Sequence, residues 1–333
     1  MRKDTKKNFL YSFLIIIPSI ILSIVAAEVI LHVKNGSMQN YDIEMWRYAK
    51  LLKKISTNPK LGHEHIPNSS AILQSVKIDI NEKGLRGGPI PPYNPYQRRI
   101  LFLGSSITLG WGVKEEQTLT ELIKKKFQDS GKDVVIFNAG IGNYNATRYI
   151  ELFLSNLRDL KPTDIVIHSF VRDAEPIDSS KGNIFLRKSQ LAVTLWIAIN
   201  RLFGKTGEKS LLEHYQEIYA PNAQNLKEMK EAFKKLAAYA KDNNINIYFA
   251  LTPDIHNLEN YNLIFIHDIM KDIAHKNNFT FIDFLPYFHN LKPQDVWAMP
   301  GDPHPNALGH EIMADALYPV LSIEKNNSAQ EKK

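Results

Sequence analysis

The chain has 333 residues, of which 44% are hydrophobic and 23% charged, with 16 Gly, 17 Pro and no Cys. This composition excludes a disordered, collagen-like or disulfide-stapled protein, and the lack of cysteine excludes thiolate metal sites, cysteine nucleophiles and iron–sulfur ligation. The net charge of +6 does not describe a nucleic-acid surface: Arg2, Lys3, Lys6 and Lys7 precede an apolar run, Lys332 and Lys333 end a polar tail, and the chain between is nearly balanced.

After a basic tail at 1–8, Phe9–Ala27 holds 19 residues without a charge, and Val29–Leu31 extend it beyond Glu28. At ~1.5 Å per residue such a helix crosses most of a hydrocarbon core of ~30 Å, and Pro18 within it is tolerated in lipid. Four basic residues before the run keep the N-terminus cytoplasmic and send the rest to the extracytoplasmic (periplasmic) side. Val25-Ala26-Ala27 also reads as a signal-peptide cleavage site. The apolar character continues past it, so the expectation is an uncleaved transmembrane signal anchor over 9–32.

Residues 33–95 read as a polar, irregular juxtamembrane extension, with a helix over Tyr41–Lys54 and a proline-rich stretch at Pro89–Pro95. From 96 to 322 the pattern changes. Apolar runs at Ile100–Leu103, Val134–Phe137, Ile165–His168, Ile245–Leu251 and Phe279–Ile282 alternate with helix-period segments at Leu119–Gln128, Thr147–Leu160, Leu226–Lys241 and Tyr261–Lys276. Near-continuous apolar strands separated by helices predict a five-stranded parallel sheet covered on both faces, a flavodoxin-like three-layer α/β/α sandwich. A polar tail follows at 323–333.

In such sheets ligands sit beyond the carboxyl ends of the strands. After the first strand, Gly104-Ser105-Ser106 opens a helix, where a serine sits among free N–H groups; either serine also serves as a plain helix cap. After the second, Asn138–Asn145 holds Gly140, Gly142 and Asn143, which permit left-handed backbone and close approach of N–H groups to a ligand. After the third comes Ser169–Pro176, where Arg172 stands beside Asp173 and Glu175 and a solvated ion pair is the plain alternative. Past the last strand, Asp302 and His304 are two apart, so extended backbone sends both side chains to one side, and Pro303 stiffens the pair. An Asp-oriented imidazole is what a serine hydroxyl needs before it becomes a nucleophile.

These four stretches together resemble the blocks of the SGNH/GDSL hydrolase superfamily, in order, over about residues 98–315. Ile80-Asn81-Glu82-Lys83-Gly84-Leu85-Arg86 resembles the lead-in segment of its membrane-anchored members. The resemblance implies Ser106 as nucleophile, His304 as base and Asp302 as its orienter. It also implies an oxyanion hole from the Ser106 N–H, an N–H at Gly142 or Asn143, and a third-block residue, here Arg172. Four positions depart from the family pattern: Ser105 replaces Asp, Asn143 replaces Gly, Arg172 replaces Asn, and the last block is Asp-x-His.

The function so implied is a membrane-anchored serine esterase that acts through an acyl-enzyme on an O-acyl ester, such as an acylated envelope polysaccharide. Transfer to a sugar acceptor is the same chemistry with another nucleophile. The alternative is a catalytically weakened binding or assembly module, prompted by Arg172. The partners expected are an ester-bearing small molecule or glycan and, through the N-terminal helix, the membrane; no nucleic acid, cofactor or metal is expected. A metal site from Asp295, Asp302, His304 and His310 lacks any ligand-spacing motif. Finally, the apolar stretch Gln190–Gly204, 15 residues long, is too short to span a bilayer and predicts a helix that covers the site, lies on the membrane surface or packs in the core.

Overall fold

The computed structural model describes residues 2–176, 186, 188–203, 210–300 and 302–323. Gly204, Gly301 and the tail from 324 lie outside the described residues. In chain order the helices and strands run α1 (Arg2–Asn35), α2 (Tyr41–Leu51), β1 (Lys53–Ile55), β2 (His63–His65), β3 (Ser69–Leu73), β4 (Val76–Ile80), β5 (Arg98–Gly104), α3 (Ser106–Leu109), α4 (Leu119–Asp129) and β6 (Val134–Gly140). They continue with α5 (Ala146–Leu152), β7 (Asp164–Phe170), α6 (Gln190–Phe203), α7 (Leu211–Ile218), α8 (Gln224–Asp242), β8 (Asn246–Thr252) and α9 (Ile264–Lys276). The last are β9 (Thr280–Asp283), α10 (Leu285–Phe288), β10 (Trp297–Met299), β11 (Asp302–Pro305) and α11 (Ala307–Ser322).

The chain forms two compact units, Met1–Lys50 with Ser180–Glu208, and Leu51–Ser179 with Lys209–Lys333. In the first, α1 runs through Pro18 without a break, and its stretch Phe13–Asn35 is long and apolar enough to cross a membrane, with most of its large apolar side chains exposed. Glu28, the one acidic residue in that stretch, is explained by α6. Its carboxylate accepts hydrogen bonds from Ser189 Oγ at 2.8 Å and from the N–H groups of Gln190 and Leu191 at 2.7 and 2.9 Å. It therefore satisfies donors that a helix start leaves open and meets the positive end of the helix dipole. Asn35 Nδ2 donates to Gln190 Oε1 at 3.0 Å on the same seam. Beyond that junction α6 exposes Leu195, Trp196, Ile199 and Leu202.

The second unit holds a five-stranded sheet of order β6-β5-β7-β8-β9, every pair parallel. Alternate residues of β5 divide between two cores. Leu101 and Leu103 pack with Tyr149, Phe233 and Met270 from α5, α8 and α9, whereas Ile100 and Phe102 pack with Ile123, Phe127 and Leu317 from α4 and α11. Side chains this size contribute ~1.5–3 kcal/mol each when fully buried, which is why both faces of the strands read as apolar. The result is the three-layer α/β/α sandwich expected from the sequence.

Three local features differ from expectation. The helix starting at Tyr41 ends at Leu51, because Lys53 enters the β1–β2 hairpin; Leu52 is buried but Leu51 is exposed. The helix read over Thr147–Leu160 is α-helical only to Leu152 and continues as a π turn at Phe153–Leu157 and a 3₁₀ turn at Arg158–Leu160. The extension read as irregular forms two antiparallel hairpins, β1–β2 and β3–β4, and Arg86 bridges to Asn138 on β6.

Candidate active site

Two glycines bring the elements of the site together. Gly104 and Gly140 pair at the ends of β5 and β6. A Cβ on Gly140 would lie 2.1 Å from Leu109 N, and one on Gly104 would lie 2.0 Å from Thr108 Oγ1. Only glycine lets α3 lie directly against both strand ends. Ser105 is the N-cap of α3 but makes no side-chain cap bond, and Ser106 is its first residue. At that position the backbone N–H has no intrahelical partner.

β11 is extended, and its Asp302 and His304 side chains leave the strand on one side. His304 Nδ1 lies 2.5 Å from Asp302 Oδ1, and His304 Nε2 lies 2.8 Å from Ser106 Oγ. With Nδ1–H donating to the carboxylate, Nε2 is left as acceptor for the serine hydroxyl. Asp302 is fully buried. Burial pushes its carboxyl up, and hydrogen bonds from His304 and Gln74 outweigh this and hold it below the usual carboxylate range. Serine, imidazole and carboxylate, 198 residues apart at the widest, thus form one hydrogen-bonded row. Such a row can remove a proton from the hydroxyl as it attacks and return it to a leaving group.

The loop after β6 turns at Gly142-Asn143, closed by the Tyr144 N–H donating to Ile141 O at 3.2 Å, with Asn143 at φ 65°. Asn145 caps α5 by accepting from the Arg148 N–H. After β7, Arg172 Nε donates to Glu175 Oε2 at 2.5 Å, the ion pair that was the plain reading of this stretch, and more than half of the Arg172 side chain is exposed. Asp173 is buried instead. It accepts from Ser169 Oγ at 2.6 Å and Tyr149 Oη at 2.7 Å, and burial, only partly offset by these bonds, pushes its carboxyl up to about 6. His310 is buried away from the row, its Nδ1 accepting from the Leu119 N–H at 3.2 Å, and Asp295 sits in a 3₁₀ turn whose carbonyl accepts from Asn306 Nδ2. Among the described residues no group of three or more His, Asp or Glu side chains is placed to hold a metal.

Several residues around the site lie outside the four sequence blocks, Arg86 among them at the end of the lead-in segment Ile80–Arg86. Gln74, at the tip of the β3–β4 hairpin, donates to Asp302 Oδ2 at 2.9 Å. Arg86 donates to the carbonyls of Leu109 and Gly110 at 2.6 and 2.7 Å and to Val113 O at 2.8 Å, which satisfies the C-terminal end of α3. Lys53 and His63, from the β1–β2 hairpin, both reach Gly142 O. A second Asp-x-His pair follows β8: His256 Nδ1 lies 2.7 Å from Asp254 Oδ1, and Trp297 Nε1 donates to the intervening Ile255 O. The hydrogen bond that it donates to the Asp254 carboxylate raises the half-exposed His256 imidazole above its ordinary pKa.

A family model described as "GDSL-like Lipase/Acylhydrolase family" matches residues 102–312. Similar solved structures include TesA, 18% identical, covering 67% of this chain and 98% of that one with a TM-score of 0.43. A catalytic mutant of Axe2, an acetylxylan esterase from Geobacillus stearothermophilus, is 17% identical and covers 68% and 95% with a TM-score of 0.46. The psychrotrophic esterase EstA from Pseudoalteromonas sp. is 16% identical and covers 68% and 97% with a TM-score of 0.44. No match is found among curated proteins.

Proposed function

Because the chain belongs to the GDSL-like lipase/acylhydrolase family, we propose that it is a membrane-anchored serine esterase that cleaves O-acyl esters through an acyl-enzyme. The observation that carries this reading is the contact of Ser106 Oγ with His304 Nε2 at 2.8 Å, with His304 backed by Asp302. Ser106 Oγ attacks the ester carbonyl carbon as His304 Nε2 takes its proton. The tetrahedral oxyanion is bound by the Ser106 N–H and by a backbone N–H at Gly142 or Asn143. Collapse breaks the bond to the alcohol oxygen, which receives the proton from His304. Water then repeats the sequence on the acyl-enzyme and releases the carboxylic acid. Arg172, the third donor of this reading, gives its Nε to Glu175, so its guanidinium serves the oxyanion only through its Nη groups. The substrate class that fits a tethered esterase is an acylated envelope glycan, and a sugar hydroxyl in place of water would turn hydrolysis into acyl transfer.

The full chain in membranes is expected to be labelled by a fluorophosphonate probe, and Ser106→Ala to abolish labelling. A folded parent protein that takes no label points to the alternative, a binding module in which the nucleophile is not activated.

The anchor reading is supported by α1, whose apolar stretch Phe13–Asn35 leaves most of its large apolar side chains exposed, and by the basic residues before it. The exposed apolar residues of α6 start from the Glu28 junction on α1 and lie in the membrane surface beside it. Since the chain has no cysteine, Leu195→Cys and Ile199→Cys each carry a single thiol for a polarity-sensitive fluorophore. In lipid vesicles both are expected to be blue-shifted and quenched by spin-labelled lipid. Emission as in water, unquenched by the lipid, would place α6 off the membrane.

A further inference from the structure

The β1–β2 hairpin lies outside the span matched by the family model, yet it reaches the loop on which the oxyanion reading depends. Lys53 Nζ lies 2.6 Å from Gly142 O, and His63 Nε2 lies 3.1 Å from the same oxygen. His63 is itself fixed, since its carbonyl accepts from Tyr144 Oη and its ring packs on Tyr144 at 5.0 Å between centroids.

A four-residue turn such as the one these groups grip can take either of two forms. Ile141 to Tyr144 is a β-turn whose third residue, Asn143, has φ 65°, while Gly142 is not among the glycines at positive φ. That is the type II form, which favours glycine at the third position. Rotating the central peptide by about half a turn gives type I, the commoner form, and returns Asn143 to negative φ. In a trans peptide the C=O and the following N–H point to opposite sides. The type II form therefore directs Gly142 O toward Lys53 and the Asn143 N–H away from it. The type I form would exchange the two, presenting a carbonyl oxygen where a donor stood.

We infer that Lys53, assisted by His63, is a positioning residue that locks the Gly142–Asn143 peptide with its N–H toward the oxyanion. This rests on the proposed esterase reading. The lock opposes the intrinsic preference of a non-glycine residue at Asn143. It also polarises the amide, since a donor on the carbonyl strengthens the N–H of the same peptide. Burial and the neighbouring Arg148 charge pull the Lys53 ammonium down to about 7, but amine and ammonium alike carry a hydrogen for the carbonyl.

The test measures hydrolysis of a short-chain aryl ester by the full chain and by Lys53→Met, Lys53→Arg and Ser106→Ala. Lys53→Cys, assayed before and after alkylation with 2-bromoethylamine, adds a chemical rescue, because its thiol is the chain's only one. Lys53→Met and unalkylated Lys53→Cys are expected to lose kcat by about 10–100-fold with KM within twofold, a fraction of what deleting an oxyanion donor costs. Alkylation, which rebuilds a side chain of lysine length ending in an amine, restores most of the loss, and Lys53→Arg keeps part of it. A folded Lys53→Met at parental kcat beside an inactive Ser106→Ala overturns the lock and leaves the esterase standing. A loss that alkylation does not recover makes Lys53 merely structural and equally overturns it. Full activity in Ser106→Ala removes the esterase reading and the lock together.

Discussion

Ser106→Ala, His304→Ala and the doubly substituted protein are expected to hydrolyse a short-chain aryl ester at one common residual rate, ~10⁴–10⁶-fold below the parent kcat. The reason lies in the 2.8 Å contact between them. The hydroxyl is a poor nucleophile without the imidazole, and the imidazole has no proton to take without the hydroxyl, so removing either forfeits what both supply. The backbone N–H groups remain in all three proteins and set the shared floor. Steady-state kinetics with burst analysis check this. Losses that multiply in the double variant would mean that the two residues act independently, and the row would then have no common task.

The second large effect is acid lability. His65, His168 and His310 are fully buried, and burial lowers each imidazole to about 3. In the unfolded chain each titrates near ~6.5. Between these values the unfolded state binds more protons than the native state, so stability falls as pH falls, by about 1.4 kcal/mol per pH unit for each group. Asp173, raised to about 6, acts in the opposite sense between its unfolded value of ~3.9 and 6. His63 is lowered to about 3 as well, so the imidazoles outnumber Asp173 and the net loss between pH 6 and 4 is on the order of several kcal/mol, comparable with the whole stability of an ordinary domain. Thermal melts are expected to show full stability at neutral pH, a steep decline below about pH 6 and loss of the fold near pH 4. His310→Asn keeps an acceptor for the Leu119 N–H and is expected to flatten that slope by one group's share. An unchanged slope would place the proton uptake elsewhere.

The sheet was legible because its strands are buried on both faces. Ile100-Leu101-Phe102-Leu103 has no polar residue to blur its period, and the structure extends it by only a few residues, to Arg98 and Gly104. The hairpins between 53 and 80 were not legible, for the same reason reversed. Their strands carry Lys, His, Ser and Glu, and the β3–β4 turn places Gln74 and Ser75 at φ 47° and 64° without the glycine that usually marks such a turn. Spacing alone brought Asp302 and His304 to one side of an extended strand, because two residues of backbone fix that geometry. Gln74 and Lys53 could not be found this way. Each reaches the site across 228 and 89 residues of chain respectively, through tertiary pairings that leave no periodic trace.

The Glu28 junction bears on how a soluble fragment would be made. Cutting the chain after its apolar helix removes not only that helix but also the carboxylate that receives Ser189, Gln190 and Leu191. Those donors open α6, some 160 residues downstream, so the cut would strip a distant helix of its cap and leave Leu195, Trp196, Ile199 and Leu202 facing water. These bonds join α1 and α6 into one unit split in sequence. A well-behaved water-soluble form therefore calls for excising or repolarising the second piece along with the first.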